Sequence, residues 1–236
     1  MRKVFVALWT LSGFFVFGAS LVLLYPYLWL KKFDEKEVRH FFYLISRTVM
    51  AMVRFVSKSY KVEILGSLPS GGALIAANHS SILDILCWGE FGLKDVIFIS
   101  KGWPLKVPVM GKYLRSAGSI VLEDNVSVEN LKNEAQKAFD KGLKIVVFPE
   151  GTRSVDNKVH RFRSGAFLLA QECNVPVIPA ALKGLGQAIP KHCVVVRPSD
   201  IKLTLLEAVA PFEKGDISAL NMAKYVKNLI IKELAR

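Results

Sequence analysis

Cysteine is nearly absent. The chain has three, Cys87, Cys173 and Cys193, odd in number and with no close pair. Such usage supports neither a disulfide framework nor a cysteine-built zinc site, and it suits a reducing compartment. No G-x-S-x-G elbow occurs, so the local signature of a serine nucleophile is missing. His160 and His192 are read as lacking carboxylates at ligand spacing, which leaves no metal site expected. Repeats, low-complexity tracts and long linkers are also lacking, and 236 residues suit one domain with an appendage. Acidic residues are in deficit: 20 Asp and Glu face 32 Lys and Arg, for a formal charge of +12, although 52% of residues are hydrophobic. A chain both basic and apolar fits an anionic membrane surface better than nucleic acid, for which no motif is found.

Charge is missing altogether from Val4 to Leu30, 27 residues that exceed the roughly 30 Å hydrocarbon core at about 1.5 Å per residue. This segment is expected to be membrane-embedded. A cleavable signal peptide is the alternative, since "GAS" lies at 18–20, but the apolar run continues ten residues further. Arg2 and Lys3 before the run and Lys31 and Lys32 after it balance one another, so charge does not set an orientation. A single span and a re-entrant hairpin both remain open. Residues 35–57 then carry Arg39, Arg47 and Arg54 on one helical stripe, opposite Phe, Leu, Ile, Val and Met. That helix either lies at the lipid interface with its arginines reaching headgroups or packs on the domain.

Beyond residue 58 short apolar runs end at Gly, Pro, Asn or Asp. Strands are expected at 72–77, 96–100, 119–122, 144–148, 175–182 and 201–208. A helix is expected after Ser127 as cap, ending at Gly142, and another over 218–236. Alternation of this kind predicts an α/β fold: a mixed, largely parallel sheet flanked by helices, preceded by an N-terminal membrane-embedded helical segment. The expected division is 1–58 for the membrane helix or hairpin plus amphipathic helix, and 59–236 for the catalytic domain.

Two polar clusters follow strands, where ligand sites of α/β sheets lie. In "NHSSILD", 78–84, Ser81 and Asp84 make a capping-box-like helix start. Five residues along an α-helix turn about 140°, so His79 must precede the helix for Asp84 to turn back and bond its ring. A carboxylate on one imidazole nitrogen leaves the other to accept a proton. Cys87, one turn on, is ordinarily a buried helical thiol. In "FPEGTRS", 148–154, a guanidinium, a hydroxyl and a glycine loop suit an anion. The stretch 101–118 alternates cations with apolar residues and reads as a lid at a lipid surface.

In order and spacing, N-H-x4-D at 78–84, F-P-E-G-T-R-S at 148–154, F-R-S-G-A-F at 162–167 and V-P-V-I-P at 175–179 resemble the glycerolipid acyltransferase family, typified by bacterial 1-acyl-sn-glycerol-3-phosphate acyltransferases. The resemblance implies transfer of a fatty acyl group from acyl carrier protein or coenzyme A thioester to a lysolipid hydroxyl, giving phosphatidic acid, with no further cofactor. It makes His79 the general base and Asp84 its partner. Glu150, Gly151, Thr152 and Arg153 would bind the glycerol-phosphate part, with Lys101 a second phosphate contact. Because acyl thioesters are cytoplasmic, the catalytic domain is expected on the cytoplasmic face of the inner membrane. One position departs from the pattern: Asp124 stands where the family commonly has a phosphate-binding arginine. Arg115 or Arg163 are candidates to compensate. Other acceptors, such as lyso-ornithine lipid, a phospholipid transacylase, and a membrane lipid-binding protein remain as alternatives.

Overall fold

The computed structural model describes residues 2–23, 25–101, 110–122, 127–193, 195–210 and 219–236. Helices α1 (Arg2–Leu23), α2 (Tyr25–Leu30) and α3 (Glu35–Val56) precede β1 (Ser59–Ile64) and β2 (Ala73–Ala77). Two 3-10 turns, Ile82–Ile85 and Cys87–Phe91, lead to β3 (Val96–Lys101), α4 (Met110–Ser116), β4 (Ile120–Leu122), α5 (Val128–Asp140) and β5 (Lys144–Val147). Then come α6 (Gly165–Glu172), β6 (Val177–Lys183), α7 (Leu185–Ala188), β7 (Asp200–Leu205) and α8 (Ala219–Leu234).

The seven strands form one sheet in the order β1-β7-β6-β2-β5-β3-β4. Every pairing is parallel except β6 with β7. The mixed, largely parallel α/β architecture expected from the alternation is therefore present. All five residues of β2 are buried, as befits a central strand covered on both faces. One apolar layer joins Leu74, Ile145 and Val177 to α5, α6 and α8, while the other joins Ile75, Val146 and Ile178 to Met50 and Val53 of α3.

Strand β1 was not among the runs expected. Its sequence, SYKVEI, mixes exposed and half-buried residues at the sheet edge and, among the described residues, pairs with β7 alone, so no apolar run marks it. Capping agrees better with expectation. Ser127 accepts from Asn130 N–H at 3.1 Å to start α5, and Gly142 at φ +77° follows its end. Asp34 caps α3 through the amides of Lys36 and Glu37, a contribution of about 1 kcal/mol.

The arginine stripe of α3 does not lie free at a lipid interface. Arg39, 8% exposed, donates to Ala117 O at 3.2 Å and pairs with Glu35 and Asp95, and Arg54 pairs with Glu90. Arg47, bonded to Tyr43 OH, and Arg54 are both exposed. The helix packs on the domain because Ser46 fits against Gly89, where a Cβ would stand 2.5 Å from Ser46 Oγ. Trp9 of α1 packs against Phe55 of α3 with ring centroids 4.7 Å apart and planes tilted by 32°, and donates to Met52 O at 3.0 Å. Leu8, Leu11, Phe15, Leu23, Trp29 and Leu30 remain exposed. Leu8–Leu30, 23 residues with mean hydropathy 1.8, is long and apolar enough to cross a membrane. Of the expected lid, 102–109 lie outside the described residues; Lys101 ends β3, and 110–116 form α4, whose Tyr113 packs with Leu28, Val38 and Ile45.

Candidate functional site

Strands β2 and β5 are parallel neighbours with Ala76 opposite Val147, so the segments leaving their carboxyl ends emerge side by side. One carries His79, the other Phe148 to Ser154. Sheet order thereby unites two clusters some seventy residues apart. Asn78 fastens the first of them to β6: its amide donates to Leu182 O at 3.0 Å and accepts from Leu182 N–H at 2.8 Å.

His79 precedes the first 3-10 turn, and Asp84 turns back to it. His79 Nδ1 lies 2.8 Å from Asp84 Oδ2, which also accepts from the amides of Ser80 (2.6 Å) and Ser81 (2.8 Å). Ser81 caps the turn in a capping box, so the structural and orienting roles coexist. The turn is 3-10 rather than α-helical, which shortens the path from cap to carboxylate. Asp84 is fully buried. With Oδ2 accepting the Nδ1 proton, Nε2 is the ring nitrogen left with a lone pair.

The second segment packs against His79 and fastens its backbone. Phe148 stacks on the imidazole with centroids 4.1 Å apart and planes 19° apart. Glu150 Oε1 accepts from His79 N–H at 2.9 Å, and Ser154 N–H donates to His79 O at 2.8 Å. Glu150 is 8% exposed. Burial raises its pKa, opposed by the N–H groups of His79 and His160. Within the motif, Phe148, Glu150 and Ser154 face His79, whereas Thr152 is exposed and Gly151 and Arg153 half-buried.

Cations gather on that outer side. Arg163 lies over Gly151, where a Cβ would sit 3.2 Å from its Cζ. Lys191 Nζ stands 3.3 Å from Arg153 O and 3.5 Å from Thr152 Oγ1. Its loop is tied to the His79 turn, since Ser81 Oγ donates to Ile189 O at 2.8 Å. Lys191 was missed by sequence reasoning because no motif marks it. Lys101 ends β3, opposite Leu122, with its side chain outside the described residues, as is Asp124.

Two other side chains can be judged. Cys87 is fully buried, and burial, then the Asp84 and Glu90 carboxylates, push its thiol well above the usual range, which suits an inert thiol. His160, contrary to the sequence reading, does have a carboxylate partner: Asp156, four residues earlier, lies 2.9 Å from His160 Nε2. Among the described residues no three His, Cys, Asp or Glu side chains could hold a metal ion.

Residues 59–183 match the family model described as Acyltransferase. A chloroplastic 1-acyl-sn-glycerol-3-phosphate acyltransferase of Arabidopsis thaliana is 35% identical over 137 residues, 56% of this chain and 38% of that protein. A 1-acyl-sn-glycerol-3-phosphate acyltransferase of Helicobacter pylori is 27% identical over 153 residues, 64% of this chain and 65% of that one. The chain thus spans less than two thirds of the length of either relative. The crystal structure of the 1-acyl-sn-glycerophosphate acyltransferase PlsC from Thermotoga maritima superposes with a TM-score of 0.81 at 25% identity, covering 100% of this chain and 97% of that one.

Proposed function

Because the chain belongs to the Acyltransferase family, we propose that it transfers a fatty acyl group from an acyl carrier protein or coenzyme A thioester to the free hydroxyl of a lysolipid, foremost 1-acyl-sn-glycerol-3-phosphate, giving phosphatidic acid. The observation that carries this reading is the seating of His79. Asp84 holds Nδ1, Phe148 covers one ring face, Glu150 and Ser154 fix its peptide, and Nε2 is left to act.

In the reaction, Nε2 takes the hydroxyl proton as the oxygen attacks the thioester carbonyl. A C–O bond forms, the C–S bond breaks, and the proton passes to the departing thiolate. Asp84 stabilises the transient imidazolium and fixes its tautomer. A thiolate leaves more easily than an alkoxide, so a strong general acid is not required. The high thiol pKa of Cys87 argues against an acyl-cysteine intermediate.

Arg153, Thr152 and the Gly151 backbone receive the acceptor phosphate, with Arg163 and Lys191 adding charge beside them. Lys101 serves as a further phosphate contact from the end of β3. The exposed apolar residues of α1 and α2 hold the enzyme in the bilayer that supplies its acceptor, with the domain on the cytoplasmic side, where thioesters are made. Asp124 motivates a second reading, in which the acceptor is a zwitterionic lysolipid, because an acid at a sequence position where the family commonly has an arginine would repel a phosphate monoester.

Expression in an acyltransferase-deficient host, with mass spectrometry of the lipids formed, tests both. Phosphatidic acid accumulating with the wild-type chain supports the first reading, and an acylated amino-acid lipid in its place supports the second. No new diacyl lipid from any lysolipid would contradict acyl transfer.

A further inference from the structure

Glu150 belongs to the motif whose outer side carries the cations, yet its carboxylate faces the other way. Oε1 accepts from His79 N–H at 2.9 Å and Oε2 from His160 N–H at 3.0 Å. An ionised carboxylate only accepts hydrogen bonds, and it repels a phosphate. A polar ligand role would therefore need a donor on the ligand and an oxygen turned away from these amides. At 8% exposure the side chain is instead enclosed by the two loops.

The neighbouring bonds point the same way. Ser154 N–H donates to His79 O at 2.8 Å, and Arg163 N–H donates to Pro149 O at 3.0 Å. Asp156 Oδ1 gathers Ser154 Oγ, Lys158 N–H and His160 Nε2 at 2.8 to 3.1 Å, folding the loop that brings His160 N–H to Glu150. Burial disfavours the charged form of Glu150, so the ion is tolerated only while both amides face it.

We infer that Glu150 is a positioning residue: its carboxylate staples the turn bearing His79 to the 154–163 loop and so sets the imidazole relative to the headgroup cations. This inference rests on the acyltransferase reading for its kinetic consequence, but not for its structural one.

Glu150→Gln separates a staple from a ligand. The amide keeps the shape of the side chain but replaces one acceptor oxygen with a donor, so whichever way it flips one backbone N–H loses its partner. Displacement of a catalytic group by about 1 Å can cost a factor on the order of 100 in rate. The variant is expected to lose about 10- to 100-fold in kcat, with KM for 1-acyl-glycerol-3-phosphate within about threefold of wild type. Hydrogen exchange should quicken in the peptides spanning 77–82 and 158–162. A KM rise of about tenfold or more with kcat retained, or unchanged exchange in both peptides, would overturn the staple.

Native-state exchange of the wild-type chain covers a variant that does not fold. The His79 and His160 amides should be protected and lose protection together, and independent exchange would overturn the inference. Should the wild-type chain transfer no acyl group to any lysolipid, the proposed function fails while these exchange measurements still decide the staple.

Discussion

Two imidazole–carboxylate pairs flank Glu150, and their bond lengths hardly differ: 2.8 Å for His79 with Asp84, 2.9 Å for His160 with Asp156. Their surroundings differ throughout. The first pair is 14% and 0% exposed and has an aromatic ring on the imidazole face. The second is 54% and 43% exposed, where water screens the charges and such pairs contribute little. A short bond between histidine and aspartate therefore does not by itself single out the proposed base. What sets His79 apart is a fully buried carboxylate partner and an aromatic ring on one imidazole face. Both backbone amides nevertheless sit on one carboxylate, so the exposed pair contributes to the buried one through its loop rather than its ring.

The comparison can be broken most severely at Asp84. Asp84→Asn leaves an amide that cannot hold the Nδ1 proton as a carboxylate does and cannot stabilise the imidazolium. The transfer rate should fall by a factor on the order of 10² to 10⁴, with KM for the acceptor little changed; initial-rate kinetics check this. Loss of less than about tenfold would reduce Asp84 to a cap.

A smaller effect is expected at the junction of the two pairs. Gly186 packs against both loops: a Cβ there would stand 2.0 Å from Asn157 Oδ1 and 2.7 Å from Ser80 Cβ. Gly186→Ala should wedge them apart and destabilise the fold by about 1–3 kcal/mol, read as a lower thermal midpoint. An unchanged midpoint would mean that the loops yield freely.

The exposed pair should matter least, and its contribution should vanish at low pH. Hydrogen bonds from Ser154 and Lys158, and then His160, lower the Asp156 pKa to about 2. A carboxylate depressed in the folded state stabilises it above its unfolded pKa, about 3.9, and that contribution is lost as pH falls towards 2. In acid titrations the advantage of wild type over Asp156→Asn should be complete by about pH 5 and shrink to nothing near pH 2. A difference that persists below pH 2 would show that the carboxylate charge is not what folds this loop.

Much of this was legible in the sequence. Six strands announce themselves as apolar runs, whereas β1 does not, because an edge strand with one neighbour and an exposed face keeps Lys61 and Glu63. The pairing of His79 with Asp84 could be expected because both lie within one short turn. The roles of Phe148, Glu150 and Ser154 towards His79 could not, since they depend on β5 lying beside β2 in the finished sheet. Lys191 reaches Thr152 for the same reason, from the loop that follows β6 and α7. The His160–Asp156 pair is within reach of sequence reasoning, since the two lie four residues apart. The arginine stripe of α3 was read with the correct period; which of its members face the domain depends on the partners at Glu90, Asp95 and Ala117.

The most direct test sets the two histidines against each other in one assay. Purified wild type, His79→Ala and His160→Ala would be given an acyl thioester and 1-acyl-glycerol-3-phosphate in lipid micelles, with phosphatidic acid formation followed. His79→Ala should lose a factor on the order of 10² to 10⁴, while His160→Ala, whose backbone amide still reaches Glu150, should stay within about threefold of wild type. Equal losses in the two variants, or a His79→Ala enzyme that keeps its rate, would contradict the assignment of His79 as the base.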